Sequence, residues 1–262
     1  MKKTLIILVF QLLFCWSLTA QNNFAEKPLS QAEKAAISTL KDHVLNKRKE
    51  LIAEHIKFPL YRDKYFNYVI KDKKGFLEIF DRIFDEKQIE NFFHAGWEYH
   101  YSVTTESHEL LADYGSYYGE ITPEGNLLLT SITLSESEKQ YLKTLVEKDK
   151  KLLHESLRGH ENPECIIFAG KYRIRIDEMP DGKLRYASWS KDKPISSAPD
   201  IVLHNGEMSG TRWWTSYTFK NGEFTYTFED SILGGLTFVV EKNDKTILCI
   251  TQNISVRYFR RY

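Results

Sequence analysis

Apolar and polar residues alternate strictly through the second half of the chain. Residues 172–176 read Tyr-Arg-Ile-Arg-Ile, and residues 224–228 read Phe-Thr-Tyr-Thr-Phe. A period of two residues is typical of a β-strand with one buried face. Sequences that favour tight turns separate these runs, at Pro180-Asp181-Gly182, Asn205-Gly206, Asn221-Gly222 and Asn243-Asp244. The second half is therefore predicted to be an antiparallel meander of seven or eight strands, which closes into a barrel or folds into a sandwich.

The first half begins with helical patterns. Ser30 and Glu33 have the spacing of a capping box, and the helical region that follows must end before Pro59. Asp72 is placed to cap a second helix, which carries one apolar stripe. That stripe consists of Phe76, Ile79, Phe80, Ile83 and Phe84.

Strand patterns follow these helices over residues 114–134, around a tight turn. A second capping-box pattern, Ser135 with Glu138, begins another helix, and the proline-containing stretch 158–163 ends it. The chain is therefore predicted to be α+β, with a change of architecture at this break. The predicted domains are residues 21–158, an α+β domain, and residues 164–262, an antiparallel all-β domain.

Residues 1–20 have the layout of a cleavable signal peptide: a short basic start, an apolar run and a small final residue. The apolar run is shorter than the roughly 20 residues that cross a membrane. Cys15 raises the alternative of a lipid-anchored protein, but Phe14 stands where a lipid-modified cysteine needs a small neighbour. We therefore expect cleavage between Ala20 and Gln21 and export to the periplasm or the extracellular space.

Charge excludes some classes of partner. The chain has 36 basic and 36 acidic residues, and cleavage after Ala20 would remove two lysines and no acid. A nearly neutral surface does not attract nucleic acid or an anionic membrane. No later apolar stretch approaches membrane-spanning length, so no transmembrane segment is predicted in the mature chain. A protein, a glycan or a small ligand all remain open as partners.

No motif for catalysis or metal binding is complete. His154-Glu155 begins like the helix of a zinc protease, but Arg158 stands where the second histidine ligand belongs. Ser116 lies one position too early for a nucleophile elbow. The sequence therefore predicts neither a cofactor nor a metal.

Two cysteines remain after cleavage, Cys165 and Cys249, both in strand-like segments. In an oxidising compartment they could form a disulfide. Alternatively, both are buried thiols that pack as small apolar side chains. Their spacing does not decide between the two interpretations.

An aromatic group in the second half is the candidate ligand or partner surface: Tyr186, Trp189, Trp213 and Trp214. Trp213 and Trp214 are adjacent, so in a strand they point to opposite faces. One of them then faces solvent or a cavity mouth, where an exposed indole often marks a recognition surface. The alternative is that the outward ring packs on a loop or on the first domain.

Several stretches resemble a known type of protein. Residues 51–60, 76–84, 114–121 and 125–126 are similar to the NTF2-like (cystatin-like) α+β domains of secreted bacterial proteins. Residues 184–189 and 199–203 resemble the β domain that accompanies this module in exported bacterial two-domain proteins. The resemblance implies an NTF2-like first half, a fold that hosts isomerases, dehydratases, immunity proteins and binding modules.

Two functions follow as expectations. The absence of catalytic motifs and the outward tryptophan favour a non-enzymatic binding module of the cell envelope. The alternative is a small-substrate enzyme, isomerase-like or dehydratase-like, that uses a cavity in the NTF2-like half. Its acid–base candidates, by strand position, are Glu98, His100, Asp113 and Glu120.

Overall fold

The computed structural model describes residues 28–63, 65–102, 107–211, 214–231 and 235–252. The predicted signal peptide, with its cleavage site between Ala20 and Gln21, lies outside the described residues, and so does Trp213. The chain divides into two compact units. The first runs up to Tyr61 and continues over Ile70–Ser137, and the second contains Arg62–Val69 and the chain from Glu138 onward.

The first unit combines helices with a small antiparallel sheet. Its helices are α1 (Gln31–Leu45), α2 (Lys49–Glu54), α3 (Lys73–Glu78), α4 (Phe80–Ile83) and α5 (Glu86–His94). Between α2 and α3 the chain forms a short two-stranded sheet of β1 (Leu60–Asp63) and β2 (Tyr68–Ile70), which includes residues of the segment Arg62–Val69 that belongs to the second unit. The main sheet consists of β3 (Trp97–Ser102), β4 (Ser107–Ala112), β5 (Tyr117–Ile121) and β6 (Leu127–Ile132), in sequence order.

Local signals explain where the helices begin. The Ser30 amide donates to Glu33 Oε2 at 2.7 Å and the Glu33 amide donates to Ser30 Oγ at 3.2 Å, so the predicted capping box is confirmed. Asp72 accepts from the Gly75 amide at 2.8 Å and caps α3 as predicted. We expected one helix after Asp72, but the structure has two, α3 and α4. Ile79 has a φ of −122°, outside the helical range, and separates α3 from α4.

Aromatic side chains fill the core of the first unit. Phe76, Phe80, Phe84 and Phe92 are all buried and contact one another in sequence. The Phe92 ring also lies 4.9 Å from the ring of Tyr117, centre to centre. The helices therefore pack on the main sheet through interlocking rings.

The second unit is built on an eight-stranded antiparallel meander that curls into a half-barrel. Its strands are β7 (Asn162–Ala169), β8 (Tyr172–Glu178), β9 (Leu184–Ser190), β10 (Ile201–Thr211), β11 (Trp214–Asn221), β12 (Phe224–Ser231), β13 (Gly235–Lys242) and β14 (Lys245–Gln252). Each strand pairs with the next in the chain, so the predicted meander is confirmed.

The inner face of this sheet carries the apolar core of the second unit. Phe228 and Phe238 stack at 4.4 Å and lie opposite each other on neighbouring strands. Leu248 and Ile250 of the last strand pack against the same core as Cys165 of the first strand. The curl of the sheet thus brings the side chains of both outer strands to one core.

One predicted turn is a bulge instead. Asn205-Gly206 lies inside β10, where the pairing with β9 shifts between Leu203 and Gly206. Asn205 has a φ of +59°, which suits a bulge as well as a turn. Glycine is required next, because a Cβ at Gly206 would lie 2.1 Å from Cε1 of Phe219.

Helix α6 (Glu136–Leu152) belongs almost entirely to the second unit, although the sequence placed it in the first domain. The reason is electrostatic. Its buried acids Glu138 and Asp149 pair with Arg62 and Arg175, which are both in the second unit. The domain boundary expected at residues 158–163 therefore differs from the division that the structure shows.

Candidate functional site

The structure separates the three described aromatic residues of the predicted recognition surface, Tyr186, Trp189 and Trp214. Tyr186 and Trp189 are 3% and 0% exposed, so both are core residues and do not form a surface. The Trp189 indole donates to the Ser197 carbonyl at 3.0 Å, which satisfies its buried N–H. Trp214 is 37% exposed at the start of β11. Among the described residues of the predicted surface, Trp214 therefore remains exposed.

No disulfide joins Cys165 and Cys249 in the structure. Cys165 packs against the inner core, and Cys249 is exposed. Since Leu248 and Ile250 point inward, Cys249 between them points to the outer face of the sheet. The two thiols therefore lie on opposite faces.

The acid–base candidates of the first unit do not form a buried cluster. Glu98, Asp113 and Glu120 are exposed, and Glu120 forms an ion pair with Lys57 at 2.8 Å. The His100 side chain lies outside what the structure describes. Within the described part of the chain, no group of three acidic, histidine or cysteine residues could hold a metal ion.

Charged side chains do cluster in the interior of the second unit, where sequence reasoning did not expect them. Asp149, Arg175, Asp177 and Arg185 are each at most 7% exposed. Arg175 Nε donates to Asp177 Oδ1, and Arg175 Nη2 donates to Asp149 Oδ2, both at 2.6 Å. Arg185 Nη2 donates to Asp177 Oδ2, also at 2.6 Å. These four residues, called here the buried ion chain, alternate in sign and balance in charge.

Tyr65 and His160 complete this cluster. The Tyr65 hydroxyl accepts from Arg175 Nη1 at 2.6 Å and donates to Asp149 Oδ1 at 3.0 Å. His160 Nδ1 lies 3.1 Å from the Leu157 carbonyl, which can only accept, so Nδ1 carries a proton. His160 Nε2 lies 3.3 Å from Arg175 Nη2 and 3.5 Å from Asp149 Oδ2, so the ring contacts both members of this ion pair.

The environment keeps Asp149 and Arg175 of the buried ion chain ionised at neutral pH. Burial alone would raise the pKa of Asp149, but contacts with His160, Arg175 and Tyr65 lower it to about 2. Burial alone would lower the pKa of Arg175, and the charge of Asp177 with the contacts to Tyr65 and Asp149 raises it instead. Each charge is stabilised by its opposite neighbour.

The second unit contains another buried ion pair, between Arg62 and Glu138. Arg62 Nε donates to Glu138 Oε1 at 2.8 Å, and Arg62 Nη2 also contacts Glu138 Oε2. Both side chains are at most 1% exposed. Glu138 and Asp149 are eleven residues apart, about three helical turns, so they share the buried face of α6. On this face Glu138 binds Arg62, from the segment Arg62–Val69, and Asp149 binds Arg175 of β8.

Helix α6 and the turn after it cover the outer face of β8 and β9. Arg175 and Asp177 alternate with the inward Ile174 and Ile176 and so point outward. Trp189 and Ala187 on β9 share this side and pack with Leu153 and Leu157. Both faces of the sheet are buried here, and we interpret the buried ion chain as a dock for α6 rather than a reaction site.

The outer face of the later strands differs. The inward positions of β11 to β13 hold Phe219, Phe228 and Phe238, so the alternate residues point outward. We define the threonine face as Trp214, Thr218, Thr225, Thr227, Thr237 and Thr251. All six are partly or fully exposed. Thr218 and Thr227 are directly paired across strands, as are Thr237 and Thr251.

Comparison with known proteins gives no match, whether with family models, with curated sequences or with solved structures. In the part of the chain that the structure describes, no helix is long and apolar enough to span a membrane.

Proposed function

We propose that this protein is an exported, non-enzymatic binding module of the cell envelope that binds glycan chains through the threonine face. The observation that carries this proposal is the position of Trp214. Its ring is 37% exposed on a sheet face rich in hydroxyl groups, whereas Tyr186 and Trp189 are buried.

The chemistry of this face suits a sugar polymer. An indole offers a flat apolar surface with a polar edge, which matches a sugar ring with its apolar face and peripheral hydroxyls. A threonine hydroxyl both donates and accepts, as a sugar hydroxyl does. Thr218 and Thr227 face each other across strands, about 4.8 Å apart, and Thr225 and Thr227 lie about 6.6 Å apart along β12. Several weak contacts spread over one face favour an extended ligand such as a polymer, because the contacts add up within one molecule.

Glu229 adds an acceptor to the same face. It lies between Ser216 and Thr237 in the cross-strand pairing, and its side chain is partly exposed. A carboxylate accepts hydrogen bonds from vicinal sugar hydroxyls.

The proposal includes an NTF2-like fold for the first unit. Its four-stranded antiparallel sheet of sequential strands, packed with helices through one core, supports that assignment. The alternative function, a small-substrate enzyme in this unit, gains no support from the described side chains. Its candidates Glu98, Asp113 and Glu120 are exposed to solvent, and Glu120 forms an ion pair with Lys57.

Binding to polysaccharides tests the proposal. We expect purified full-length mature protein to be retained on insoluble peptidoglycan or on at least one neutral polysaccharide of a panel. Trp214→Ala should weaken retention about tenfold, the effect of losing roughly 1.4 kcal/mol of aromatic contact. Thr227→Val, which keeps the shape and removes the hydroxyl, should weaken it less.

Met208→Ala is the matched control, because Met208 is 60% exposed in the same unit and is not part of the threonine face. It should bind like the wild type. Retention on no polysaccharide, or retention that neither Trp214→Ala nor Thr227→Val changes, would contradict the proposal. Capture of a protein partner in place of a glycan would also contradict it.

Export is tested separately by N-terminal sequencing of the protein recovered from outside the cytoplasm. We expect Gln21 as the first residue. Recovery of the chain in the cytoplasm with Met1 retained would show that residues 1–20 are not a signal peptide.

A further inference from the structure

The two edge strands of the half-barrel, β7 and β14, differ in the features that protect a sheet edge from pairing with another strand. Strand β7 contains Pro163 and Glu164, and its pairing with β8 is irregular between Pro163 and Cys165. Proline, charge and irregular pairing are the usual protections of a sheet edge. In β14, residues 246–252 read Thr-Ile-Leu-Cys-Ile-Thr-Gln, without charge or proline. Such an uncharged, β-branched run is prone to pair.

The geometry of β14 is also suited to an added strand. Among the described strands it pairs only with β13, so its other edge has no partner there. Its register irregularity lies opposite Val240 and Glu241, near the hairpin, and Leu248 to Gln252 pair regularly. Leu248 and Ile250 are only half-buried although they belong to the inner core. A further strand would cover them.

We propose that β14 pairs with β14 of a second copy of this chain, antiparallel and around a two-fold axis at Cys249. The order Leu248, Cys249, Ile250 is self-complementary in this arrangement. Leu248 lies opposite the partner's Ile250, so apolar side chains meet on the inner side. Ile247, which is 57% exposed, lies opposite the partner's Thr251 on the outer side. Two copies make the same contact on both sides, as a two-fold interface requires.

A second copy fits better than an unrelated strand because the edge matches itself in both polarity and charge. No like charges oppose each other within residues 247–251, and every inward residue meets an apolar residue. A contact of about five residues per strand is small compared with stable interfaces, so the dimer should be reversible and of roughly micromolar affinity or weaker. The dimer is a proposal independent of glycan binding.

Cysteine crosslinking can report the register. Residues opposite each other in an antiparallel pair have Cα atoms about 4.5–5.5 Å apart, within the range that a disulfide spans. With oxidised glutathione as the oxidant, two Cys249 thiols become one interchain disulfide while one glutathione disulfide is reduced to two thiols. The wild type should therefore yield a covalent dimer at high concentration.

Mixed single-cysteine variants distinguish this register from random collision. In a Cys165→Ala/Cys249→Ser background, an Ile247→Cys variant mixed with a Thr251→Cys variant of different size should crosslink to each other. Each variant alone should crosslink several-fold less, since identical residues would then be four positions out of register, about 13 Å apart. Equal crosslinking in every combination, or none, would overturn the proposal.

Sedimentation at about 200 µM protein provides a test without crosslinking. Cys249→Ser should remain a reversible dimer, and Cys249→Lys should be monomeric, because two ammonium groups would oppose each other at the axis. Val202→Lys, an exposed strand position in the same unit, is the control and should dimerise. Trp214→Ala should also dimerise, which separates this test from the glycan test. A monomeric wild type, or Cys249→Lys that dimerises equally well, would overturn the proposal.

Discussion

Removal of Asp177 should destabilise the second unit more than the loss of any exposed acid. This carboxylate is 0% exposed and accepts from Arg175 and Arg185, each at 2.6 Å. Asp177→Ala would leave two buried guanidinium groups with the single carboxylate of Asp149. Breaking a buried ion pair in this way costs about 3–5 kcal/mol. That is a large share of the roughly 5–15 kcal/mol that stabilises a domain.

Urea unfolding of the mature protein, followed by circular dichroism and tryptophan fluorescence, measures this cost. For a slope of about 2 kcal/mol per molar urea, the midpoint of the second unit should fall by about 1.5–2.5 M. Asp192→Ala removes an exposed acid from the same unit and serves as the control. It should change the free energy of unfolding by less than about 0.5 kcal/mol.

The double variant Asp177→Ala/Arg185→Met tests whether charge balance is the cause. It leaves Arg175 paired with Asp149, so the remaining buried charges are equal in number. We expect it to be about 1–3 kcal/mol more stable than the sum of the two single variants predicts. If the effects of the two substitutions simply add, or if Asp177→Ala costs no more than Asp192→Ala, the charge-balance argument is wrong.

Three further predictions concern the same unit. The pKa of Asp149 is about 2 in the folded protein against 3.8 for an unperturbed aspartate, so the unfolded chain binds a proton first as pH falls. Its contribution of about 2 kcal/mol should be complete above about pH 4 and lost as pH falls through 2, and Asp149→Asn should flatten urea midpoints over that range. Gly206→Ala should cost about 1–3 kcal/mol because the new methyl group collides with Phe219, whereas Gly159→Ala, with open space around it, should cost little by the same assay. Phe228→Ala should lower the free energy of unfolding by about 3–5 kcal/mol, since the ring is fully buried.

Local patterns predicted the second unit well because its strands follow one another. Alternation and turn residues act within a few positions, and a meander needs no long-range rule to order its strands. The bulge at Asn205 shows the limit of such reasoning. The positive φ of Asn205 fits both a turn and a bulge. The ring of Phe219, on the next strand, packs against Gly206, and this tertiary contact favours the bulge over the turn.

The buried ion chain could not be predicted from local patterns. Asp177 and Arg185 become neighbours only once β8 and β9 pair in register. Asp149 lies on a helix whose charged residues look solvent-facing until Arg175 is placed against them. Trp189 was predicted to lie at a surface because local patterns do not show what covers the outer side of its strand. Leu153 and Leu157, which cover it, lie far from β9 in the chain. Burial of both faces of β9 follows from tertiary contact alone.

The contrast between the two halves of the half-barrel supports the location of the proposed binding surface. On the outer face of β8 and β9, Arg175 pairs with Asp149 of α6, and Asp177 joins Arg175 to Arg185. Ala187 and Trp189 on the same side pack with Leu153 and Leu157, so that part of the sheet is covered by the chain itself. The outer side chains of β11 to β14 include the five threonines of the threonine face, whose hydroxyls are partly or fully exposed and can hydrogen-bond to water without a buried counter-charge. When no ligand is bound, these hydroxyls form hydrogen bonds with water, and sugar hydroxyls can replace that water on binding. If the same face served only as packing surface, its hydroxyls would be replaceable: Thr218→Val and Thr227→Val together should then raise stability and leave polysaccharide retention unchanged.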